Sequence, residues 1–398
     1  MPRRLPSVTL FLALLLPFVL ALGIWLGGHP RWLLSPIADV LVGDESRRVP
    51  LEALDTIHDK YYREVPRRQL SDNAITGAVA GLDDRFSAYL SAKDYHVFRQ
   101  SLDNAFEGIG TGIHGVARGL RIEVVYPGSP AQKAGIAVGD IITQADGHKL
   151  AGLSEAAASA FIKGKAGTSV TLRILRGDKR LVKRVERARI SVPVVESKIA
   201  NAGGRRAAYI HLSTFGPNNA HDQVAAALRR LIRRKAKGVV LDLRGNGGGL
   251  VSEAQLVASM FLKDGTIVTT RGRAVDTQTL KAVGDPIAGD LPTVVLVDRG
   301  TASASEIVAG ALQDRRRATL VGTRTFGKGV FQEIMPLHNG GAVDLTVGQY
   351  FLPSGRNLGG AGTKPGSGIK PDVAAQDDPK TPRDEALDTA LDVLAGKL

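Results

Sequence analysis

Between Thr301 and Gln332 the chain gathers two serines, Ser303 and Ser305, then Glu306, then one lysine set among glycines and apolar residues. That lysine is Lys328 in Phe326-Gly327-Lys328-Gly329, and Gln332 stands four residues beyond it. A serine hydroxyl is a weak nucleophile and needs a base beside it. No histidine lies between the serines and the glutamine, so the amine of Lys328 is the available base. The set reads as a Ser–Lys pair suited to acyl transfer, with Gln332 able to orient the lysine. Spacing alone admits either serine. The lysine must be neutral to act, yet it titrates near 10.4 in water. Burial and neighbouring positive charge lower that value. Phe326, Val330 and Phe331 are placed to give apolar cover, and Arg324 to add positive charge if it turns inward.

The elements that must hold these groups alternate between strand and helix. Residues 238–243 read as a buried strand, Arg244-Gly-Asn-Gly-Gly-Gly249 as a glycine loop, and 250–262 as a helix. Strand, glycine loop and helix together leave free backbone N–H groups at a helix N-terminus. Such donors can hold the oxyanion of a tetrahedral intermediate. Residues 293–298 form a strand that feeds the serines, 320–322 lead to Lys328, and 330–335 and 341–352 add strands. Residues 207–212 are a strand, 219–234 an amphipathic helix, and 383–394 a terminal helix on which Asp388 and Asp392 are solvated.

Upstream, residues 104–190 are rich in strand signals. A Gly-rich run, Phe106-Glu-Gly-Ile-Gly-Thr-Gly-Ile113, leads to strands at 120–125 and 170–175, a short helix after Pro127-Gly-Ser-Pro, and a hairpin turn at Asp146-Gly147. The spacing of its glycines does not fit a dinucleotide site. Arg176, at the last strand of this region, stands where it could make a hinge-side contact. Residues 36–103 carry helical periodicity, with Ser71-Asp-Asn placed to cap a helix over 74–82 and His58 as a surface or packing residue. Residues 8–26, almost wholly apolar behind Arg3 and Arg4, are long enough to span a bilayer. A cleaved signal competes with an uncleaved anchor, and the anchor is favoured because Ala21-Leu22-Gly23 lies inside the apolar run. Either way the arginines stay in the cytoplasm and the body is exported.

These motifs together resemble the C-terminal processing peptidases over about residues 51–373. The resemblance implies Ser303 as nucleophile, Lys328 as base and Gln332 as the third member. It implies an oxyanion hole from the N–H of Ala304 with Gly247 or Gly248, and Asp314 as a supporting residue. Residues 78–95 resemble the family's segment before its PDZ domain. Arg85 there replaces the usual proline, a departure expected to lie far from the chemistry. The run Ser129-Pro-Ala-x-x-Ala-Gly-Ile-x-x-Gly-Asp-Ile-Ile142 strongly resembles a PDZ domain. Such a domain adds a chain terminus as a strand to its sheet edge, here against Ile109-Gly110-Thr111-Gly112-Ile113, and its insertion ahead of the catalytic strands suits it to gate the site.

The expected fold is therefore α/β and multi-domain. Residues 1–35 form the signal or anchor, 36–103 an N-terminal helical region, 104–190 an inserted β-rich PDZ domain, 191–375 an α/β serine-protease core with a mixed sheet, and 376–398 a tail and helix. The expected activity is that of an exported serine endopeptidase in the cell envelope, on the periplasmic side of an inner membrane. Expected partners are protein or peptide substrates with accessible C-termini and, through residues 8–26, the membrane. A delivery or regulatory partner and a homo-oligomer are compatible with the sequence.

Other chemistries fit less well. Gly322-x-x-x-x-Gly327-Lys328 is followed by Gly329, where a phosphate-binding loop needs Ser or Thr. His338 and His211 carry no sign of a Ser–His–Asp arrangement, and the nucleophile-elbow motif is absent around Ser303. The chain has no cysteine and no HExxH, so neither a metal nor another cofactor is expected. The net charge of +13 raises nucleic-acid binding. Much of that charge sits in the run from Arg229 to Lys235, where Leu231 and Ile232 can face a core and no aromatic residue interleaves, so nucleic acid is not expected. A non-catalytic PDZ adaptor on a protease scaffold remains the alternative.

Overall fold

A computed structural model of the chain describes Leu15, Val19 and residues 45–102, 105–284, 286–359 and 368–398. The apolar stretch read as an anchor otherwise lies outside the described residues, and no helix among the described residues is long and apolar enough to cross a membrane. The chain divides into residues 1–81 and 82–398.

The first unit holds α1 (Glu45–Lys60) and α2 (Arg67–Ala80). The expected cap at Ser71 is not used. Pro66 stands at the N-cap with φ −58° and the helix begins directly behind it, where proline's fixed φ and missing N–H cost nothing. Ser71 to Asn73 therefore lie inside the helix. His58 bonds the carbonyl of Val65 in the linker.

The second unit starts with β1 (Ala88–Leu90) and α3 (Ala92–Leu102). The β-rich domain follows. It is entered through β2 (Ala105–Gly108), then runs through β3 (Thr111–Val116), β4 (Gly119–Val125), α4 (Pro130–Lys133), β5 (Ile141–Ala145) and β6 (His148–Lys149). It continues through α5 (Glu155–Ile162), β7 (Ser169–Arg176) and β8 (Lys179–Glu186), and β9 (Ala188–Ser191) returns to pair with β2. Its sheet has the order β3-β4-β5-β7-β8. Along β4 and β7 the apolar side chains Leu120, Ile122, Val170, Leu172 and Ile174 are buried, while their neighbours Arg121 and Arg173 are exposed, the two-residue period of a half-buried strand. Arg176 does not reach a hinge. Its guanidinium holds the buried Asp140 at 2.6 and 2.7 Å and the Gly135 carbonyl at 2.8 Å, inside the same domain, and two strands still follow it.

The α/β core is a mixed sheet flanked by helices. β10 (Val195–Ala202) is antiparallel to β11 (Arg205–Leu212). From there the chain passes through α6 (Ala220–Arg233), β12 (Gly238–Asp242), α7 (Val251–Ser259), β13 (Thr266–Gly272), β14 (Gln278–Lys281), β15 (Thr293–Val297), α8 (Ala304–Asp314) and β16 (Thr319–Gly322). Then come β17 (Val330–Pro336), β18 (Ala342–Phe351), β19 (Val373–Ala374) and α9 (Glu385–Ala395). Strands β11, β12, β15, β16 and β19 run parallel. Strands β12 and β15 are buried along their whole length, as parallel strands covered on both faces must be. One face packs on α6, α7 and α8, and the other on α9 through Ala386, Ala390 and Leu394. A second, antiparallel sheet joins β1, β18, β13 and β14, with β17 on β18.

Arg244, just past β12, ties the C-terminal helix to the sheet. It pairs with the buried Asp242 at 2.6 Å, Asp384 at 2.8 Å and Asp377 at 3.2 Å, while the Tyr209 hydroxyl donates to Asp242 at 2.8 Å. Removing one partner leaves a buried carboxylate short of its cation. Arg244→Ala should therefore lower the unfolding free energy by about 2–4 kcal/mol. Chemical denaturation measures this, and an unchanged midpoint would show that the cluster contributes nothing.

Candidate active site

Three neighbouring parallel strands end at one edge, and each delivers a loop there. β12 leads into the glycine loop, β15 into Ser303, and β16 into Thr325 to Lys328. Open parallel sheets gather functional loops at the carboxyl ends of their strands for this reason.

Ser303 is the N-cap of α8, with φ 57° and ψ −120°. A non-glycine residue with this backbone is strained by roughly 1–3 kcal/mol and persists only where its surroundings impose it. Here they do. Asn246, fully buried, accepts the Ala302 N–H at 3.0 Å and the Ser305 hydroxyl at 2.9 Å on its carbonyl. Its side chain bonds the Leu212 carbonyl and the Gly248 N–H. Ser305 is thus a buried structural residue, and Ser303 is the partly exposed serine.

Glu306 joins the serine to the lysine. One carboxylate oxygen accepts the backbone N–H groups of both Ser303 and Lys328, each at 2.9 Å. The other accepts the Thr325 hydroxyl at 2.6 Å and the Gly327 N–H at 2.8 Å. Burial pushes the Glu306 carboxyl up, and these four donors pull against that. The Ser303-x-x-Glu306 spacing is a capping-box signature, so a local signal for this residue does stand in the sequence.

Lys328 is largely buried. Burial pushes its amine below the ordinary lysine range, opposed by the carboxylates of Asp344, Asp84 and Glu306. Arg324, which would add positive charge only if turned inward, is exposed. The amine makes no hydrogen bond among the described residues and lies 4.9 Å from the centre of the Phe86 ring. Asp84, Phe86 and Asp344 escaped the sequence reading. Arg85, expected to be remote, has its guanidinium 5.2 Å from the Phe86 ring and 5.5 Å from the Phe326 ring. β1 brings this segment in by pairing with β18, Ala88 opposite Asp344.

Gln332 donates to the Thr346 hydroxyl at 3.0 Å rather than to the lysine. Thr346 in turn donates its N–H to Ser87, whose hydroxyl bonds Asp84 at 2.5 Å. Burial works against Asp84, but bonds from Ser87, Thr346 and the Phe86 N–H, with the charge of Lys328, hold its carboxyl below the usual range. Burial pushes the Asp344 carboxyl up; Asp84 adds to this and Lys328 opposes it. Ser303 and Lys328 thus share the Glu306 carboxylate, while Gln332 sits on β17 of the antiparallel sheet and bonds Thr346; among the described residues no side-chain hydrogen bond joins the three.

The glycine loop lies against the serine. A Cβ on Gly248, whose φ is 104°, would stand 2.8 Å from the Ser303 Cβ and 3.0 Å from the Ala304 nitrogen, so only glycine fits. The Gly248 N–H is engaged by Asn246 at 2.9 Å. The Gly247 N–H has no partner among the described residues, and a Cβ there would meet open space. Asp314 stands at the far end of α8, roughly 15 Å along the axis. It bonds the Ser354 N–H at 3.0 Å and pairs with Arg356 at 2.8 Å, so it supports the loop after β18 rather than the reacting groups.

With this geometry in view, comparison with known proteins is direct. A model described as peptidase family S41 matches residues 206–375, and a PDZ-domain model matches residues 121–176. The carboxy-terminal-processing protease of Bartonella bacilliformis is 38% identical over 322 residues, covering 79% of this chain and 73% of its own. The chain belongs to peptidase family S41. A second relative, the carboxyl-terminal-processing protease of Synechocystis sp., is 34% identical over 398 residues, covering 96% of this chain and 93% of its own. Among solved structures, a photosystem II D1 C-terminal processing protease aligns with a TM-score of 0.50 and 28% identity, covering 88% of this chain and 97% of its own. The S41 peptidase described here is thus a serine-type enzyme of the carboxyl-terminal processing group and carries a PDZ domain.

Proposed function

We propose that this chain is an exported endopeptidase that takes protein substrates by their C-terminal tails through its PDZ domain and hydrolyses them with Ser303 and Lys328. The observation that carries this reading is the Glu306 carboxylate, which binds the backbone of both residues at 2.9 Å beside a serine in a strained, helix-capping conformation. Export rests on residues 8–26 and is a reading of sequence alone.

In the proposed reaction the lysine stem swings the neutral amine from Phe86 to the serine. Lys328 Nζ takes the Ser303 hydroxyl proton as Oγ bonds to the peptide carbonyl carbon. The carbonyl electrons move to oxygen, where the N–H groups of Ala304 and of the 247–248 loop receive them; Gly247 is the loop residue with an uncommitted N–H. The C–N bond then breaks, and the lysine returns the proton to the leaving amine. Water, deprotonated by the same lysine, releases the acyl group. Gln332 orients the amine once it leaves its Thr346 partner.

The lysine sets the pH dependence. A lysine pushed down by burial favours its neutral form in the folded state. That form, and the rate with it, grows as pH rises through a midpoint below the ordinary 10.5. Asp344 and Asp84 raise that midpoint, so Asp344→Asn should shift the rising limb of kcat against pH to lower pH and increase activity severalfold at neutrality. Initial rates of peptide cleavage across pH measure this. A limb that stays in place, or moves up, would remove Asp344 from the account.

The alternative of an inactive adaptor finds no specific support, because the serine, the lysine and the donors that would receive an oxyanion are all present. Incubating the protein with an unstructured protein bearing an apolar C-terminus, and identifying products by mass spectrometry, tests the proposal. Intact substrate at every pH would count against it.

A further inference from the structure

The PDZ sheet ends in an open strand. β3 pairs with β4 on one side and is the edge strand on the other. Between that edge and α5 runs a groove of about 610 Å³. Its floor is apolar, with Ile109, Ile113 and Ile162, and small residues on α5 leave it wide. Two charged residues line it, one at each end of α5: Glu155 is the first residue of the helix and Lys163 follows its last.

Glu155 closes the groove at its own end, lying close beside the strand: a Cβ on Gly115 would stand 3.4 Å from its Cβ and 3.9 Å from its Cα. Its Oε2 accepts the Gly115 N–H at 2.9 Å and lies 3.6 Å from His114 Nδ1. An added strand draws on the N–H groups of the edge it joins, so pairing along β3 meets a carboxylate at Gly115. At the other end, Lys163 and the backbone around Ile109 and Gly110 suit a terminal carboxylate. The two charges therefore fix both the direction and the chemistry of the bound segment. Thr111 to Ile113 leaves roughly 7 Å of open edge, about three residues of a paired tail, and the next residue back meets Glu155.

Resting on the tail-recognition reading above, we infer that Glu155 is a specificity-determining residue: the groove selects tails with an apolar last residue and a lysine or arginine about three residues before it, and rejects acidic residues there. This preference runs against the protein's net charge of +13, which by itself draws in acidic peptides.

Fluorescence anisotropy with the full-length Ser303→Ala protein tests the inference, since that variant binds tails without consuming them. The probes are labelled peptides of one sequence with an apolar C-terminus, carrying Lys, Ala or Glu three residues before the end, and the Lys peptide as its C-terminal amide. The Lys tail should bind about five- to tenfold more tightly than the Glu tail, with Ala between them. Adding Glu155→Gln should bring the Lys and Glu tails to about equal affinity, and Glu155→Lys should reverse their order. Equal affinities in the parent, or tighter binding of the Glu tail, would overturn the role of Glu155 even if amidation still abolishes binding. An amide that binds as well as the free acid would instead overturn tail recognition itself. The order among tails in the parent decides the matter whether or not the Glu155 variants fold.

Discussion

Ser303→Ala reduces the rate of peptide-bond cleavage by about 10⁴-fold or more, and Lys328→Ala comes close to the same loss, because nucleophile and base act as one unit. Lys328→Arg fares no better than alanine, since a guanidinium does not give up its proton in a protein. Ser305→Ala behaves differently. Its hydroxyl is buried and bonded to the Asn246 carbonyl, so the variant loses about 1 kcal/mol of stability and still cleaves. Product formation followed by mass spectrometry separates these cases. Parent-like cleavage by Ser303→Ala would end the assignment.

Glu306→Ala is the second large effect. The fully buried carboxylate holds three backbone N–H groups and one hydroxyl. Truncation strands all four donors. Each stranded donor costs about 1–3 kcal/mol where water cannot reach it, and partial relaxation should leave a net loss of about 3–5 kcal/mol. Glutamine is a poor rescue, because its NH₂ group meets N–H donors on one side. The catalytic consequence is separate from the stability loss. Ser303 and Lys328 no longer share an anchor, so kcat should fall even under conditions where circular dichroism shows the variant folded. A Glu306→Ala protein with the parent's denaturation midpoint and rate would show that the carboxylate does not hold the two loops together.

What the sequence revealed and what it hid have different physical origins. The parallel strands, the glycine loop, the strand-to-serine connection and the PDZ strands announce themselves through local patterns. Apolar runs, two-residue alternation and glycine clusters need no knowledge of distant chain. The start of α2 was missed because Pro66 outcompetes Ser71 as a boundary, a choice between two legitimate local signals. Arg176 was misread because its partner Asp140 is 36 residues away.

The surroundings of Lys328 were hidden for a stronger reason. Asp84 and Phe86 precede the lysine by more than 240 residues, and only the register of β1 on β18 brings them to it. A slip of one residue would turn every side chain on that strand to the other face, and no pattern within residues 82–90 reports the register. The same ignorance of side-chain direction left open which way Arg324 points and made Arg85 look remote, although its guanidinium lies beside the Phe86 and Phe326 rings. The reactive types were legible, but the electrostatics that tune them depend on long-range pairing.

The most direct test of the central claim is to catch the covalent intermediate. A peptide ester whose acylation outruns its hydrolysis is turned over by the parent protein, quenched in acid and mapped by mass spectrometry. The account predicts an acyl group on Ser303, formed faster as pH rises and absent from Lys328→Ala at neutral pH. An acyl group on Ser305 or another residue, or continued turnover with Ser303 unmodified, would contradict it.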